Sequence, residues 1–520
     1  MKFALVAVFC ASLALLSVRA AHLHIADTWL DPIGKVDGQD ETMYASSAFH
    51  MADHGGWLTP LYQGRYALYK PPLLLWLAGA SAKAFGDSAF AARLPVLLVA
   101  ALAACLLLLW LRNIAAGIAA VLLLLANRLW FTLSTLCLTD GLLTAFIVAA
   151  AFCLYRDPRL ESRRARWSFA LATAGAIMVK SVAGIVPFLV LLAFCALAKP
   201  GERPTWRRIL WIVLATAALV LPWGLYQLAV HPRWFWNEFV LSEIVTYGVS
   251  SPIQTTQENQ VFFYLKRLFL MDPVLSVLSL AALVICGART RACRLDTRVE
   301  ARLLLAWLAV VFATAFLWSY RNVTYLAPAI PALAILVARA IPPRIAIPIA
   351  AVALAVKLAV PVHPWGIELR PGILHRSVAL LDGYARQHRN RGLILVDPFD
   401  GFYSSVLPLP KVRYCFVSSS GVPPQGPLDL HELGIVVTGE EFARLPQLEG
   451  TWSARLREWG LDSSEPIATS IVPKSREEVV SLIATHPGTD FLLPESYRAS
   501  MPGHTPGESA GGFFLALAGN

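Results

Sequence analysis

Apolar runs long enough to cross a bilayer recur along this chain through residue 361, separated by short basic loops. A spanning helix needs about 20 apolar residues, within a range of about 17–25. The runs fall roughly at 3–21, 94–111, 114–133, 140–155, 167–180, 182–198, 209–228, 271–287, 303–319, 325–341 and 345–361. They predict a polytopic α-helical membrane protein with about eleven transmembrane helices, of which 167–180 is the shortest run. Composition agrees: 57% of residues are hydrophobic, 15% are charged, and mean hydropathy is +0.58. Soluble domains run at about 45–50% apolar and about 25% charged. This excludes a cytosolic enzyme, a disordered chain and a secreted disulfide scaffold.

The net charge of +10 does not imply a nucleic-acid partner, because the cations cluster between apolar runs, which is how membrane orientation is encoded. Arg156, Arg159, Arg163, Arg164 and Arg166 follow the fourth run; Lys199, Arg203, Arg207 and Arg208 follow the sixth; Arg289, Arg291, Arg294, Arg298 and Arg302 follow the eighth. All fall on the side of Met1 and Lys2, which is therefore expected to be cytoplasmic. Residues 1–21 are read as a retained helix; a cleaved leader ending at Val18-Arg19-Ala20 is the alternative. Either way, residues 22–93 form a first outer loop, and an odd number of spans places residues 362–520 outside.

Beyond about residue 366 the apolar runs shorten. Gly392-Leu-Ile-Leu-Val-Asp397, Gly434-Ile-Val-Val-Thr-Gly439 and Asp490-Phe-Leu-Leu-Pro494 read as buried strands, with a helical stretch at 440–458. They predict a small extracytoplasmic α/β C-terminal domain at 362–520, beside a transmembrane domain at 1–361. Ala510-Gly-Gly-Phe513 reads as a flexible tail.

The first outer loop is the richest in chemistry. Asp37, Asp40 and Glu41 fall within five positions, in Asp37-Gly-Gln-Asp40-Glu41-Thr-Met-Tyr44. Gly55-Gly-Trp57-Leu-Thr-Pro60, Gly64-Arg65-Tyr66-Ala-Leu-Tyr69-Lys70-Pro71-Pro72 and Ala91-Ala-Arg93-Leu-Pro95 follow. Carboxylates at a membrane edge are costly unless solvated or used, and interfacial aromatics alone are ordinary anchors. His50, His54 and His231 read as unpaired loop residues.

The order Asp-Glu-x-x-Tyr, Gly-Trp-x-x-Pro, Lys-Pro-Pro-Leu, Phe-Gly, Ala-Arg-Leu-Pro resembles polyprenyl-phosphate-sugar-dependent GT-C glycosyltransferases. It is most similar to the bacterial lipid A aminoarabinose transferases and the dolichyl-phosphate-mannose-protein mannosyltransferase-like enzymes. Leu138-Thr-Asp140-Gly141, Val179-Lys180-Ser181, Leu221-Pro222-Trp223 and Arg321 through Tyr325-Leu-Ala-Pro328 continue the order, so the resemblance covers roughly residues 25–335. Three positions depart from the family pattern: Met43 stands where Arg is usual, Tyr69 where Glu is frequent, and Thr324 where Arg often precedes Tyr-Leu-x-Pro, with Arg321 one turn earlier.

The resemblance implies an enzyme of GT-C type in the plasma (inner) membrane, with its active site on the extracytoplasmic side. It would move a sugar, hexose or pentose, from a polyprenyl-phosphate donor to a lipid, glycan or protein acceptor. Asp40, Glu41 and Asp140 are the catalytic candidates, with Asp40 as general base. Asp140 reads equally well as a helix cap. Lys70, Arg321 and Arg65 are the candidates for holding the donor phosphate as negative charge develops. Tyr44, Tyr66, Tyr69, Glu243 and Tyr325 are candidates for substrate contact. Lys180 either binds phosphate or snorkels. One base with direct displacement predicts inversion at the anomeric carbon. No metal site is evident in the sequence, and cofactor identity stays open, a divalent cation included. Membrane lipids are expected partners and nucleic acid is not. The competing reading is a transporter or flippase of lipid-linked sugars, for which repeated halves and midplane ionisable groups would be expected.

Overall fold

The computed structural model describes residues 1–22, 38–62, 65–66, 70–246, 260–287, 298–318, 321–359, 380, 383–384, 387, 392–396, 413–418, 471–473, 475–501, 503–510 and 512–518. The chain divides into two compact units. One comprises Met1–His22, Pro32–Val36 and Leu68–Leu369; the other comprises Leu23–Asp31, Asp37–Ala67 and Arg370–Asn520.

The first unit is helical. Its elements are α1 (Lys2–His22); α2 (Gly38–His54), β1 (Leu61–Tyr62) and β2 (Arg65–Tyr66) intervene in sequence and fall in the second unit. The helices continue with α3 (Leu73–Phe85), α4 (Ala89–Leu111), α5 (Ile114–Ala126), α6 (Arg128–Leu133), α7 (Thr139–Arg156), α8 (Arg163–Lys180), α9 (Val186–Leu197) and α10 (Trp206–Val230). After a π-helical stretch at Phe235–Thr246 come α11 (Gln260–Met271), α12 (Pro273–Gly287), α13 (Arg298–Leu317), a 3₁₀ turn at Val323–Leu326, α14 (Ala329–Ala340) and α15 (Pro343–Ala359).

Helix limits follow from local chemistry. The Ser88 and Asn113 side chains accept the amides of Ala91 and Ala116 and so start α4 and α5. Asn127 closes α5, and its Oδ1 accepts the Trp130 amide at 2.9 Å to open α6. On α10, Leu214, Leu221 and Leu225 are 53–60% exposed, an apolar face that lipid rather than water would cover.

Every apolar run of the sequence falls on helix, yet fewer than eleven of the described helices are long and apolar enough to span alone. Seven qualify, or eight if the pair Val261–Met271 and Pro273–Cys286, bent by 112°, counts as one. The 114–133 run is broken at Asn127, leaving α5 with 13 residues, about 20 Å of helix. The 167–180 and 182–198 runs merge into one apolar stretch of 35 residues, about 52 Å if straight, well beyond a hydrocarbon core of about 30 Å. It is not straight. A Cβ on Gly184 would lie 2.3 Å from the Cα and N of Ile177, whereas residues seven apart in a continuous helix are separated by about 10 Å. The 3₁₀ segment Ser181–Ile185 therefore folds back on the end of α8.

One buried ion pair ties four of these helices together. The Arg339 guanidinium on α14 lies 3.0 Å from Glu300 Oε1 on α13, and the same oxygen accepts the Trp110 indole N–H of α4 at 2.7 Å. Arg339 also donates to the Tyr155 hydroxyl of α7, whose ring stacks on Trp110 at 4.4 Å. Near α1, Arg93 donates to the Ala20 carbonyl and Arg19 to the Thr135 hydroxyl.

In the second unit, β3 (Gly392–Val396), β4 (Arg413–Ser418), β5 (Ile471–Pro473), α16 (Arg476–Thr485), β6 (Asp490–Pro494), β7 (His504–Ala510) and β8 (Phe513–Ala518) follow in chain order. The sheet order is β5-β4-β3-β6-β8-β7, parallel from β5 to β6 and antiparallel across β8 and β7. Val396, Val479, Ile483, Phe491, Leu493, Tyr497 and Phe514 form its core. Asp490 is buried there, accepting the Ala518 amide and the Tyr384 hydroxyl. The strands expected at 392–397 and 490–494 are present; the strand at 434–439 and the helix at 440–458 lie outside the described residues.

Two expectations are corrected. Residues 510–513 are not a tail: Ala510 pairs with Phe513 across a tight β7–β8 turn containing Gly512 at φ +86°, the left-handed conformation glycine adopts freely. His50 and His54 are not loop residues, because α2 puts them one turn apart with rings stacked at 4.6 Å. His231 lies in a bend directly after α10, as expected of a loop residue.

Candidate active site

Asp140 occupies the first turn of α7, where a carboxylate favours the positive end of the helix dipole. The preceding Leu138 is extended, and Gly141 has no room for a side chain: a Cβ there would lie 2.3 Å from the Leu133 carbonyl oxygen. The sequence Leu138-Thr-Asp140-Gly141 thus turns sharply out of α6 into α7 and presents Asp140 at the turn.

Lys180 is the last residue of α8 and packs beside that turn. Its Nζ lies 2.7 Å from both Oδ1 and Oδ2 of Asp140, and the two side chains are only 15% and 11% exposed. Ser181 leaves the helix at φ +40°, a region that non-glycine residues seldom enter and that costs backbone energy. Gly184 then presses on the α8 backbone. The reversal is held from both sides, and Lys180 is held with it. The ammonium also sits 5.5 Å from the centre of the Tyr325 ring, a cation–π distance.

Tyr325 lies in the 3₁₀ turn Val323–Leu326. Asn322 caps this turn, its side chain accepting the Thr324 amide at 2.9 Å. Arg321, half-buried, immediately precedes it. Three separated segments, the start of α7, the end of α8 and the 321–326 turn, therefore meet around one ammonium. Two of its three N–H donors face Asp140, which leaves one for an anionic ligand.

The remaining predicted residues are placed as follows. Lys70 is half-buried ahead of α3, where Pro71 and Pro72 restrict the backbone. Asp40 is exposed in the first turn of α2, with Glu41 and Tyr44 buried on the same helix. Arg65 and Tyr66 lie on β2 and Glu243 in the π-helical stretch, their side chains outside the described residues; Tyr69 lies wholly outside them. Of the predicted set, Asp140 and Tyr325 are joined, through Lys180. That junction was legible in principle: α7 starts and α8 ends with a charged residue, and consecutive antiparallel helices bring those ends together.

A second polar cluster had no counterpart in the sequence reading. Asp272, at the bend between α11 and α12, accepts from Asn127 Nδ2 at 3.2 Å and pairs with Lys357 Nζ of α15 at 3.2 Å. Lys357 also donates to the Ala126 carbonyl. Asp272, Lys357, Asn127 and Arg128 are each at most 5% exposed. A lysine inside the 345–361 apolar run was the available signal, since ionisable groups within spans are rarely idle. Among the described residues, no group of three or more His, Cys, Asp or Glu is placed to hold a metal ion.

The fold is that of a multi-pass helical membrane protein of GT-C type with a small sheet domain. The crystal structure of ArnT from Cupriavidus metallidurans bound to undecaprenyl phosphate superposes with a TM-score of 0.64 over 99% of both chains at 18% identity. The apo form of the same protein gives 0.63. The dolichyl-phosphate-mannose-protein mannosyltransferase family profile matches residues 35–236. An undecaprenyl phosphate-alpha-4-amino-4-deoxy-L-arabinose arabinosyl transferase of Yersinia pestis is 28% identical over 310 residues, 58% of this chain and 54% of that protein. An uncharacterized protein of Aquifex aeolicus is 24% identical over 306 residues, 58% of each chain. Over part of its length the chain is thus similar to these mannosyl and arabinosyl transferases. Its match spans about half the length of the curated arabinosyl transferases.

Proposed function

We propose that this protein is an integral membrane glycosyltransferase that moves a sugar from a polyprenyl-phosphate donor to a lipid, glycan or protein acceptor, with inversion, at the outer face of the plasma membrane. The observation that supports this most is the Asp140–Lys180–Tyr325 junction: a fixed ammonium with a donor left for an anion. Expelling a polyprenyl phosphate needs cations where the negative charge grows, and no general acid, because phosphate is already a good leaving group. Lys70, Arg321 and Arg65 are assigned to the donor phosphate, and Lys180 joins them.

Asp40 is assigned as the base that orients or deprotonates the acceptor, with Glu41 helping to place it. Asp140, with the lysine ammonium at both its oxygens, is assigned to hold Lys180. Tyr44, Tyr66, Tyr69, Glu243 and Tyr325 are assigned to substrate contact. Residues 1–361 serve as the membrane domain and 362–520 as an outer domain. Aminoarabinose and mannose, the sugars in the relatives' names, are the first donors to test.

The roles separate in a binding and single-turnover experiment on purified variants in lipid. Asp40→Asn should slow transfer by about 10²–10⁴-fold with donor binding nearly intact. Lys70→Ala should weaken binding and slow turnover together, with partial rescue by Lys70→Arg. Loss of donor binding in Asp40→Asn, with none in Lys70→Ala, would reverse the assignment.

A further inference from the structure

The 321–326 turn brings Tyr325 to Lys180, and something outside the turn must fix its position. The turn's internal bonds run from the Thr324 amide to the Asn322 side chain and from the Tyr325 amide to the Asn322 carbonyl at 3.1 Å. They set its shape without locating it against the other helices. The Asn322 amide is different: it donates to the hydroxyl of Tyr264 on α11 at 3.3 Å. Tyr264 is fully buried, its ring edge-on to Phe263 at 5.1 Å and 6.0 Å from Phe316 of α13.

Helix α11 is itself anchored. It ends two turns later at Asp272, whose Oδ1 accepts the Leu275 amide at 2.9 Å to start α12. Its Oδ2 is held by Asn127 and Lys357. The 112° bend at Asp272 is thus fixed to α5 and α15. The opposite face of α11 shows Val261, Phe262, Leu265 and Phe269, all more than 40% exposed, at helical spacing. One face of α11 is apolar and open, and the other reaches the site through the Tyr264 hydroxyl.

We propose that Tyr264 is a positioning residue for lipid-phosphate binding: its hydroxyl locates the Asn322 amide and, through it, the turn that carries Arg321 and brings Tyr325 to Lys180. This rests on the reading of the site as a donor-phosphate site. Tyr264→Phe keeps the ring and removes this contact. The probe is undecaprenyl phosphate in phosphatidylethanolamine–phosphatidylglycerol vesicles, with binding measured on the full chain.

The expected result is about 2–10-fold weaker binding per folded molecule, the range of one neutral hydrogen bond. Unchanged binding, or a lower thermal midpoint with binding per folded molecule unchanged, overturns the proposal. Hydrogen exchange on the parent protein gives a reading that needs no variant. A protected Asn322 amide supports the contact and a freely exchanging one refutes it. If the parent protein itself does not bind undecaprenyl phosphate, the donor-site reading falls first.

Discussion

Breaking the Asp140–Lys180 pair tests whether this junction is held by charge or only by packing. Two contacts of 2.7 Å join groups that are 11–15% exposed. At an effective dielectric of about 20, that separation corresponds to roughly 6 kcal/mol of Coulomb attraction. Desolvation cancels a large part of it, and removing one partner of a buried pair costs about 3–5 kcal/mol. With some solvent at the pair, Lys180→Met is expected to cost about 3 kcal/mol, because Asp140 keeps only the Thr139 hydroxyl at 3.4 Å. Asp140→Asn should cost less, since the longer lysine can swing toward water. The double variant leaves no orphaned charge and should recover at least half of the Lys180→Met loss. The assay is equilibrium unfolding in mixed micelles for the four proteins of the cycle, with donor binding read in parallel. A coupling energy of about 1.5–3 kcal/mol is expected; strict additivity, within about 0.5 kcal/mol, would refute an electrostatic junction.

Three other outcomes follow from the geometry. Arg339→Ala removes the cation paired with buried Glu300, leaving its carboxylate the Trp110 indole but no counter-charge from Arg339, and should lower stability by about 3–5 kcal/mol in the same unfolding assay without changing donor affinity per folded molecule. Gly184→Ala would drive a methyl against the Ile177 backbone at 2.3 Å; it should move Lys180 and lower donor affinity, whereas Gly201→Ala, with nothing near its Cβ, should be silent. Burial pushes the His231 imidazole below its ordinary value, so the unfolded chain binds its proton more readily; stability should fall as pH drops from the ordinary histidine range toward that lower value, and His231→Gln should flatten this slope in a thermal series across pH.

Much of the fold was legible because bilayer physics is written into composition. Runs such as 94–111 and 209–228 needed no tertiary information to be read as helices. The runs that mislead are those with a polar break inside: Asn127 ends α5 within an apolar run, and Gly184 folds the chain back where hydropathy shows continuity. Helix α2 was missed as an element because its mean polarity resembles a wet loop, and it is its packing that buries Glu41 and Tyr44. The tight β7–β8 turn was read as a tail because Gly-Gly marks flexibility and turns alike. In the site, Asp140 and Tyr325 were legible as motif residues. The Lys180 bridge was not drawn, although the charged ends of the consecutive helices α7 and α8 carried the signal for it. The Asp272–Lys357 pair escaped because residues 85 positions apart meet only once their helices are packed.

The central claim is that a sugar leaves its lipid phosphate at this protein rather than crossing the membrane attached to it. The direct measurement uses purified protein in sealed vesicles containing polyprenyl-phosphate sugar, labelled in both the sugar and the phosphate, with a crude envelope lipid and glycan fraction as acceptor. The expected result is that sugar label moves to acceptor while polyprenyl phosphate accumulates in equal amount, and that Asp40→Asn slows both by about 10²–10⁴-fold. If the doubly labelled lipid instead changes leaflet intact, with no free polyprenyl phosphate, the protein is a flippase and not a glycosyltransferase.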